Sequence, residues 1–282
     1  MAPTVGKFVT SDNVALHYLE AGAGRVIVLI PGWSQTADMF RCVIDDLSRD
    51  HKVIAIDMRG HGKSDKPLHG YRIARFARDL AEFLQSFAFD EVGLVGHSMG
   101  CAVIWSYLEL NDSQNISRLV LIDQAPVVTA WPGWSDEQKA ICGSLHSSET
   151  LFQAVAALSG ANGAKVSADY IRDSLFTKNC PEPMLDWVIA ENLKFPRQAA
   201  AQLLLELAVH DWRDAIRRIK LPTMIFGGRA SIFDPKSQEW IARQIPGAIV
   251  DIFEADEGGS HFMWMENPAR FLSLLRGFLS SS

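Results

Sequence analysis

The sequence predicts an α/β fold, a doubly wound and mostly parallel sheet of eight strands with helices on both faces and a helical insertion between two of its later strands. Three observations carry this. Short continuous apolar runs, Val26-Ile27-Val28-Leu29-Ile30 foremost, suit strands buried on both faces, which occur where helices cover a parallel sheet on either side. Strand-like and helix-like stretches alternate up to about residue 126 and resume after Trp212, and repeated strand and helix units close by right-handed crossovers into a doubly wound sheet. Between Val127 and Trp212 no buried-strand pattern is found and helical stretches take over.

In chain order, Lys7 to Thr10 and Val14 to Leu19 read as strands bounded by turn residues, and Pro31-Gly32 ends the third strand, Val26 to Ile30. Val53 to Ile56 is a further buried strand that runs into Asp57-Met58-Arg59-Gly60-His61-Gly62, and a helical pattern follows from Arg72 to Phe87. Then come the strand Val92 to Val95, a helix from about Met99 to Leu110, and the strand Leu119 to Ile122, which ends at Asp123. The insertion, residues 127–212, carries Trp131, Trp134, Phe152, Trp187 and Phe195 and reads as a helical cap on a core made of 1–126 and 213–282. The core resumes with Met224-Ile225-Phe226 before Gly227-Gly228, a helix from Pro235 to Gln244, the strand Ile249 to Phe253 and a last helix from Pro268 to Leu279.

A chain of 282 residues has room for one large α/β core with an insertion, and too little for two comfortable enzyme domains. Its formal net charge of -6 argues against a phosphate backbone or an acidic membrane surface as partner. No apolar run approaches the ~20 residues that span a bilayer, and Met1-Ala2-Pro3-Thr4 lacks a basic start followed by an apolar stretch, so a cytoplasmic protein is expected. Cys42, Cys101, Cys142 and Cys180 lie far apart, with no His at zinc-ligand spacing, and read as free thiols. The expected partner is a small-molecule substrate acted on by a monomer or homodimer, without cofactor or metal.

Gly96-His97-Ser98-Met99-Gly100 matches Gly-x-Ser-x-Gly in the setting that motif requires, a buried strand before it and a helix after it. Ser98 is therefore the candidate nucleophile, placed at a strained strand-to-helix turn where side chains two positions away would crowd the backbone. The helix that follows favours negative charge at its N-terminus, where an oxyanion develops. The competing reading is a serine that merely caps a helix after a glycine-rich turn.

A serine hydroxyl needs a neutral imidazole within reach to take its proton. With such an elbow the order along the chain is Ser, acid, His, so the base is the histidine after the final strand, His261 in Gly258-Gly259-Ser260-His261-Phe262. His97 should point away from the nucleophile, His61 lies in a tight glycine-flanked loop, and His17, His51, His69, His146 and His210 read as surface or packing residues. Two aspartates compete for the third role. Asp123 ends a parallel strand on the side where such sheets place ligands and carries no helix-start signal. Asp234 follows the strand near Phe226, the commoner position, but it stands before Pro235, as an N-cap with proline at the first helical position does. Asp123 is favoured, with Asp234 as the alternative. The turn Pro31-Gly32-Trp33-Ser34-Gln35 is where the second oxyanion donor is expected, so the pair is the backbone N–H groups of Trp33 and Met99. The Trp33 side chain fits pocket and core equally well. The aromatic insertion suggests an apolar acyl or aryl ligand.

Taken together, Pro31-Gly32-Trp33, Arg59-Gly60-His61-Gly62-Lys63-Ser64, Gly96 to Gly100 and Gly259-Ser260-His261-Phe262 resemble the α/β-hydrolase superfamily over nearly the whole chain. The resemblance implies Ser98 as nucleophile, His261 as base, and Trp33 and Met99 as oxyanion donors. Gly258 to Pro268 is similar to the tail of esterases that show cofactor-free haloperoxidase activity. The Pro-Gly-Trp turn and the place of Asp123 resemble the cofactor-independent quinolone dioxygenases, which set their acid after the same strand but carry a histidine where this chain has Gln35. Relatives with an aspartate nucleophile, the dehalogenases and epoxide hydrolases, do not match a serine at 98. The function expected is a serine hydrolase that cleaves a small, apolar carboxylic ester or lactone through an acyl-enzyme. The alternatives are a cofactor-independent dioxygenase, an acyl-transferring cyclase or a ligand receptor, because this fold does not fix function.

Overall fold

The computed structural model describes residues 2–87, 89–111 and 114–280; Met1 of the N-terminal stretch and the last two residues of the core portion 213–282 lie outside them. The eight expected strands form one sheet. They are β1 (Thr4–Val9), β2 (Ala15–Ala21), β3 (Arg25–Ile30), β4 (His51–Ile56), β5 (Val92–His97), β6 (Ile116–Ile122), β7 (Thr223–Gly228) and β8 (Ile249–Phe253). Their order is β1-β2-β4-β3-β5-β6-β7-β8. β1 pairs antiparallel with β2 and β2 with β4, and every other pairing is parallel.

The central strands are buried on both faces, as their unbroken apolar runs require: Val28, Leu29, Ile30, Ile54, Leu94, Leu119 and Ile122 are fully enclosed. Two clusters divide the core. On one face the sheet packs against Phe76 and Phe83 of α2 (Ile73–Phe87) and Trp105 of α3 (Met99–Leu110). On the other it packs against Val43 and Ile44 of α1 (Arg41–Leu47) and Phe271 and Leu275 of α12 (Pro268–Ser280). Each such side chain, fully buried, contributes about 1.5–3 kcal/mol relative to leaving it in water.

The structure departs from the sequence reading at the edges. β1 begins three residues earlier than expected, because an edge strand with Val5 and Val9 exposed carries little burial pattern to mark it. A short 3-10 turn at Ala37–Phe40 leading into α1 was not anticipated either. The turn is anchored by Asp57, whose Oδ1 accepts from the Ala37 N–H at 2.7 Å, and by the packing of Ala37, Met39 and Phe40.

Between β6 and β7 the described residues form no strand and only two isolated bridges, Val127 with Asp211 and Thr129 with His146. The segment is helical: α4 (Asp136–Cys142), α5 (Ser148–Ser159), α6 (Gly163–Tyr170) running into a π turn, α7 (Glu182–Asn192), α8 (Arg197–Ala208) and α9 (Arg213–Arg217). Ser135 and Ser147 open α4 and α5 with reciprocal capping boxes, each satisfying orphan amides of the first turn. A small cluster of Ala125, Val128, Leu151, Ala208 and Phe233 joins these helices to the loops that leave β6 and β7. The sheet is completed by α10 (Pro235–Gln244) and α11 (Met263–Glu266), which precede β8 and α12 respectively. Among the described residues no helix is long and apolar enough to cross a membrane.

Candidate active site

Ser98 lies between the end of β5 and the first residue of α3 with φ 51° and ψ −122°. The two motif glycines make that turn possible. A Cβ on Gly96 would lie 2.7 Å from the carbonyl carbon of Gly100, and one on Gly100 would lie 2.2 Å from the carbonyl oxygen of Ile30. The turn is pinned by the Ser98 N–H, which donates to Ile122 C=O at 2.8 Å. Among the described residues four non-glycine residues have positive φ, and three of them, Ser34, Ser98 and Asp123, follow the neighbouring strands β3, β5 and β6. Such conformations cost of order 1–3 kcal/mol each and persist only where the surroundings over-determine them. Three at one end of one sheet make that end the candidate site.

The structure brings Asp123 to His261 and leaves Asp234 elsewhere. His261 Nδ1 is 2.6 Å from Asp123 Oδ2, and both side chains are buried. The register places the carboxylate: Ile122 pairs with His97 on one side and Phe226 on the other, so Asp123 emerges beside Ser98. Asp234 is exposed and accepts the Lys236 N–H at 2.9 Å with Pro235 at the first helical position, which is the N-cap reading of that residue. The histidine loop is held close to the sheet because Gly259 has no side chain; a Cβ there would sit 2.3 Å from Phe253 C=O. With Nδ1–H donated to the carboxylate, Nε2 carries the lone pair that a base needs. Burial pushes the Asp123 carboxyl upward, and the hydrogen bonds from His261 and Ser231 restrain it.

Ser231 is a partner the sequence pattern does not reveal. It sits in the turn after β7, where an acid is common in such sheets, and its hydroxyl donates to the same Asp123 oxygen that His261 uses. A hydroxyl and a carboxylate have thus divided between two loops what one acidic turn otherwise supplies.

The turn after β3 is built around backbone donors. Gly32 N–H donates to Gln35 Oε1 at 2.8 Å, and Ser34 N–H donates to His61 Nε2 at 3.0 Å. His61 Nδ1 donates to Arg59 C=O at 2.9 Å, so its Nε2 must accept, and complete burial holds this imidazole down to about 4, hence neutral. A Cβ on Gly32 would approach Ser98 Cβ to 3.0 Å, so this turn and the elbow face each other. Among the described residues the N–H groups of Trp33 and Met99 donate to no protein acceptor and so remain available as hydrogen-bond donors. The Trp33 ring is half-buried, lines the cavity beside Ser98 and donates from Nε1 to Ala200 C=O at 2.8 Å.

His97 does not simply turn away. Its Nδ1 lies 2.9 Å from Gln35 Oε1 and its Nε2 2.9 Å from His261 C=O, so the ring ties the turn after β3 to the histidine loop. Burial pushes it well below the ordinary histidine range. Being neutral, it donates to one of these oxygens at a time.

Ser98 and His261 open on a cavity of about 220 Å³ whose wall is mostly aliphatic, with Leu145, Leu158, Ile171, Leu175 and Leu204 among its members. Of the insertion's aromatic residues Tyr170 lines it, and the five that the sequence singles out do not. Trp131, Phe152 and Trp187 are exposed, Trp134 lies against Arg213, and Phe195 is buried behind the site, stacked 4.1 Å from His61. Aromatic content does not tell which helix face turns inward, and here aliphatic faces do. His146, read from sequence as surface or packing, lines the cavity, as does Gln124. The four cysteines are free, and among the described residues no three His, Cys, Asp or Glu side chains converge to hold a metal.

Comparison with known proteins agrees with this architecture. Residues 25–268 match the family model of the alpha/beta hydrolase fold. The chain belongs to the α/β-hydrolase family. Within the family, the AB hydrolase superfamily protein YisY of Bacillus subtilis (strain 168) is 26% identical over 228 residues, covering 80% of this chain and 81% of that protein. An esterase (EaEST) from Exiguobacterium antarcticum superposes with a TM-score of 0.89 at 24% identity, over 99% of this chain and 100% of that one. The enol-lactonase from Burkholderia xenovorans LB400 superposes with a TM-score of 0.83 at 19% identity, over 98% and 100%. Likeness at these identities establishes the shared fold, and membership of the α/β-hydrolase family supports a hydrolase.

Proposed function

We propose that this α/β-hydrolase cleaves a small carboxylic ester or lactone through an acyl-enzyme on Ser98. One observation carries the reading: a serine held at positive φ at the head of α3 shares an apolar cavity with an imidazole whose Nδ1 is fixed by a buried carboxylate at 2.6 Å. Ser98 Oγ attacks the carbonyl carbon as His261 Nε2 takes its proton, and Asp123 stabilises the imidazolium that forms. The developing oxyanion accepts from the Trp33 and Met99 N–H groups, beside the N-terminus of α3. The imidazolium then protonates the leaving alkoxide. Water, deprotonated by His261, attacks the acyl carbon and releases the acid and Ser98. The helices of 127–212 act as a cap that keeps the aliphatic part of the substrate out of water.

An acid after β6, shared with the quinolone dioxygenases that the sequence resembles, favours one rival, oxygen-dependent cleavage with His261 as base and Ser98 in a supporting part. The test is labelling with a fluorophosphonate followed by mass spectrometry of the Ser98 peptide, together with turnover of aryl esters, lactones and thioesters by Ser98→Ala. The expected result is label on Ser98 and a loss of turnover by several powers of ten, since binding and the oxyanion hole alone leave about 10³ to 10⁴-fold acceleration over water. An unlabelled Ser98, or unchanged ester turnover in Ser98→Ala, would sink the hydrolase reading, and oxygen uptake with a hydroxyquinolone would favour the rival.

A further inference from the structure

The cavity wall contains a fully buried polar side chain without a use in the reaction or in the fold. Gln124 is 1% exposed, follows Asp123 directly and lines the cavity. Neither its Oε1 nor its Nε2 has a protein partner among the described residues. Its main chain is fixed, since Gln238 Nε2 donates to Gln124 C=O at 3.3 Å, but the carboxamide is left bare. An unsatisfied buried polar group costs about 1–3 kcal/mol, whereas a leucine or methionine of similar size would cost nothing there.

Three other polar members of the wall are engaged. Ser167 and Asn192 accept from Arg197 at 2.7 Å and 3.1 Å, and Gln35 serves Gly32 and His97. Arg197 itself is committed, donating also to Ser34 Oγ at 2.8 Å and to the Asn192 carbonyl at 2.6 Å. No unengaged cation therefore faces the cavity from that side, and a buried substrate carboxylate would lack a counter-charge. Two further groups on the wall have no side-chain hydrogen-bond partner among the described residues: the His146 imidazole, held below the ordinary histidine range by burial, and the Tyr170 hydroxyl, which burial pushes upward. All three free groups are thus neutral.

We infer that Gln124 recognises a neutral group of the substrate that both donates and accepts hydrogen bonds, with a primary or cyclic amide as the class that satisfies both of its atoms. A carboxylate or a second ester carbonyl only accepts, and would leave Oε1 unpaired. An amide supplies an oxygen to Nε2 and an N–H to Oε1 on one edge. This deepens the hydrolase reading by naming a feature of the substrate distant from the scissile bond, and it rests on that reading only for the reaction, not for the recognition.

The test is calorimetric binding of hexanamide and of heptan-2-one, which has the same shape with a methyl group in place of the NH₂. The ketone is the less polar of the two, so an unadorned apolar cavity prefers it. Wild type is expected to bind hexanamide about 10-fold or more tightly than heptan-2-one. Gln124→Leu is expected to reverse that order with no fall in Tm, and Gln124→Met serves the same purpose should the branched side chain not fit. Equal binding of the two compounds by wild type, or an amide preference that survives in the folded variant, overturns the inference. A folded variant with its amide preference lost but its Tm lowered by many degrees would assign the carboxamide to stability and overturns it equally. Binding needs no turnover: a wild type without amide preference but with Ser98 labelled defeats this inference alone, and a wild type with amide preference but with Ser98 unlabelled defeats only the hydrolase reading.

Discussion

Replacing Asp123 by asparagine keeps the shape of the side chain and removes its charge. The charge faces the imidazole at 2.6 Å in a buried site. When His261 takes the proton of Ser98 it becomes an imidazolium, and two unit charges at that separation attract by about 6 kcal/mol with an effective dielectric of about 20. At 1.36 kcal/mol per decade this is between four and five powers of ten, of which the asparagine carbonyl recovers a part, so a fall of about 10⁴-fold in kcat is expected. Asparagine also turns an NH₂ toward Nδ1 in one of its two orientations, which favours the tautomer with the proton on Nε2, where the base is needed. The assay is release of p-nitrophenol from a short-chain aryl ester, with thermal unfolding run beside it to show an intact fold. Asp234→Asn is the control: it caps α10 through one oxygen, asparagine caps nearly as well, and the rate should stay within about 2-fold. A crippled Asp234→Asn together with a near-wild-type Asp123→Asn would refute the reasoning.

Three further outcomes are expected. Ser231→Ala removes a donor from Asp123 and should lower kcat by about 10-fold, with partial rescue by Ser231→Thr; an unchanged rate would reduce Ser231 to a loop residue. His61 is neutral in the fold at about 4 against an ordinary 6.5, so its contribution is present above pH 6.5 and is lost as the pH falls toward 4, a difference of about 3 kcal/mol. Urea midpoints at pH 7.5 and pH 5 should therefore fall further for wild type than for His61→Gln, and parallel losses would contradict this account. Gly100→Ala forces a Cβ to 2.2 Å from Ile30 C=O and should cost about 3 kcal/mol or more, whereas Gly277→Ala, with nothing within 4 Å, should gain about 0.5–1 kcal/mol in α12. Similar denaturation midpoints for the two variants would show that the elbow is not as tight as its geometry indicates.

What the sequence determined by itself is what local pattern can encode. The continuous apolar runs at Val26–Ile30 and Leu119–Ile122 state that both faces of a strand are covered, and Gly96 and Gly100 around Ser98 state that a backbone passes close on both sides. His261 was legible because it stands alone after the final strand, between glycines and an apolar run. Asp234 as an N-cap could be read from its neighbour Pro235. The choice of Asp123 was different, since position favoured it but only the register of β5, β6 and β7 sets its carboxylate 2.6 Å from a residue 138 positions away. Ser231, His61 and Gln35 gain their partners across turns and crossovers whose paths are not written in any one segment. Which insertion residues line the cavity is not legible for the same reason: an aromatic-rich helical insertion fixes how much apolar surface exists, whereas packing against the sheet decides which face is turned to the site. Gln124 is the sharpest case, because a glutamine in a loop is unremarkable until tertiary burial leaves its carboxamide without a partner among the described residues.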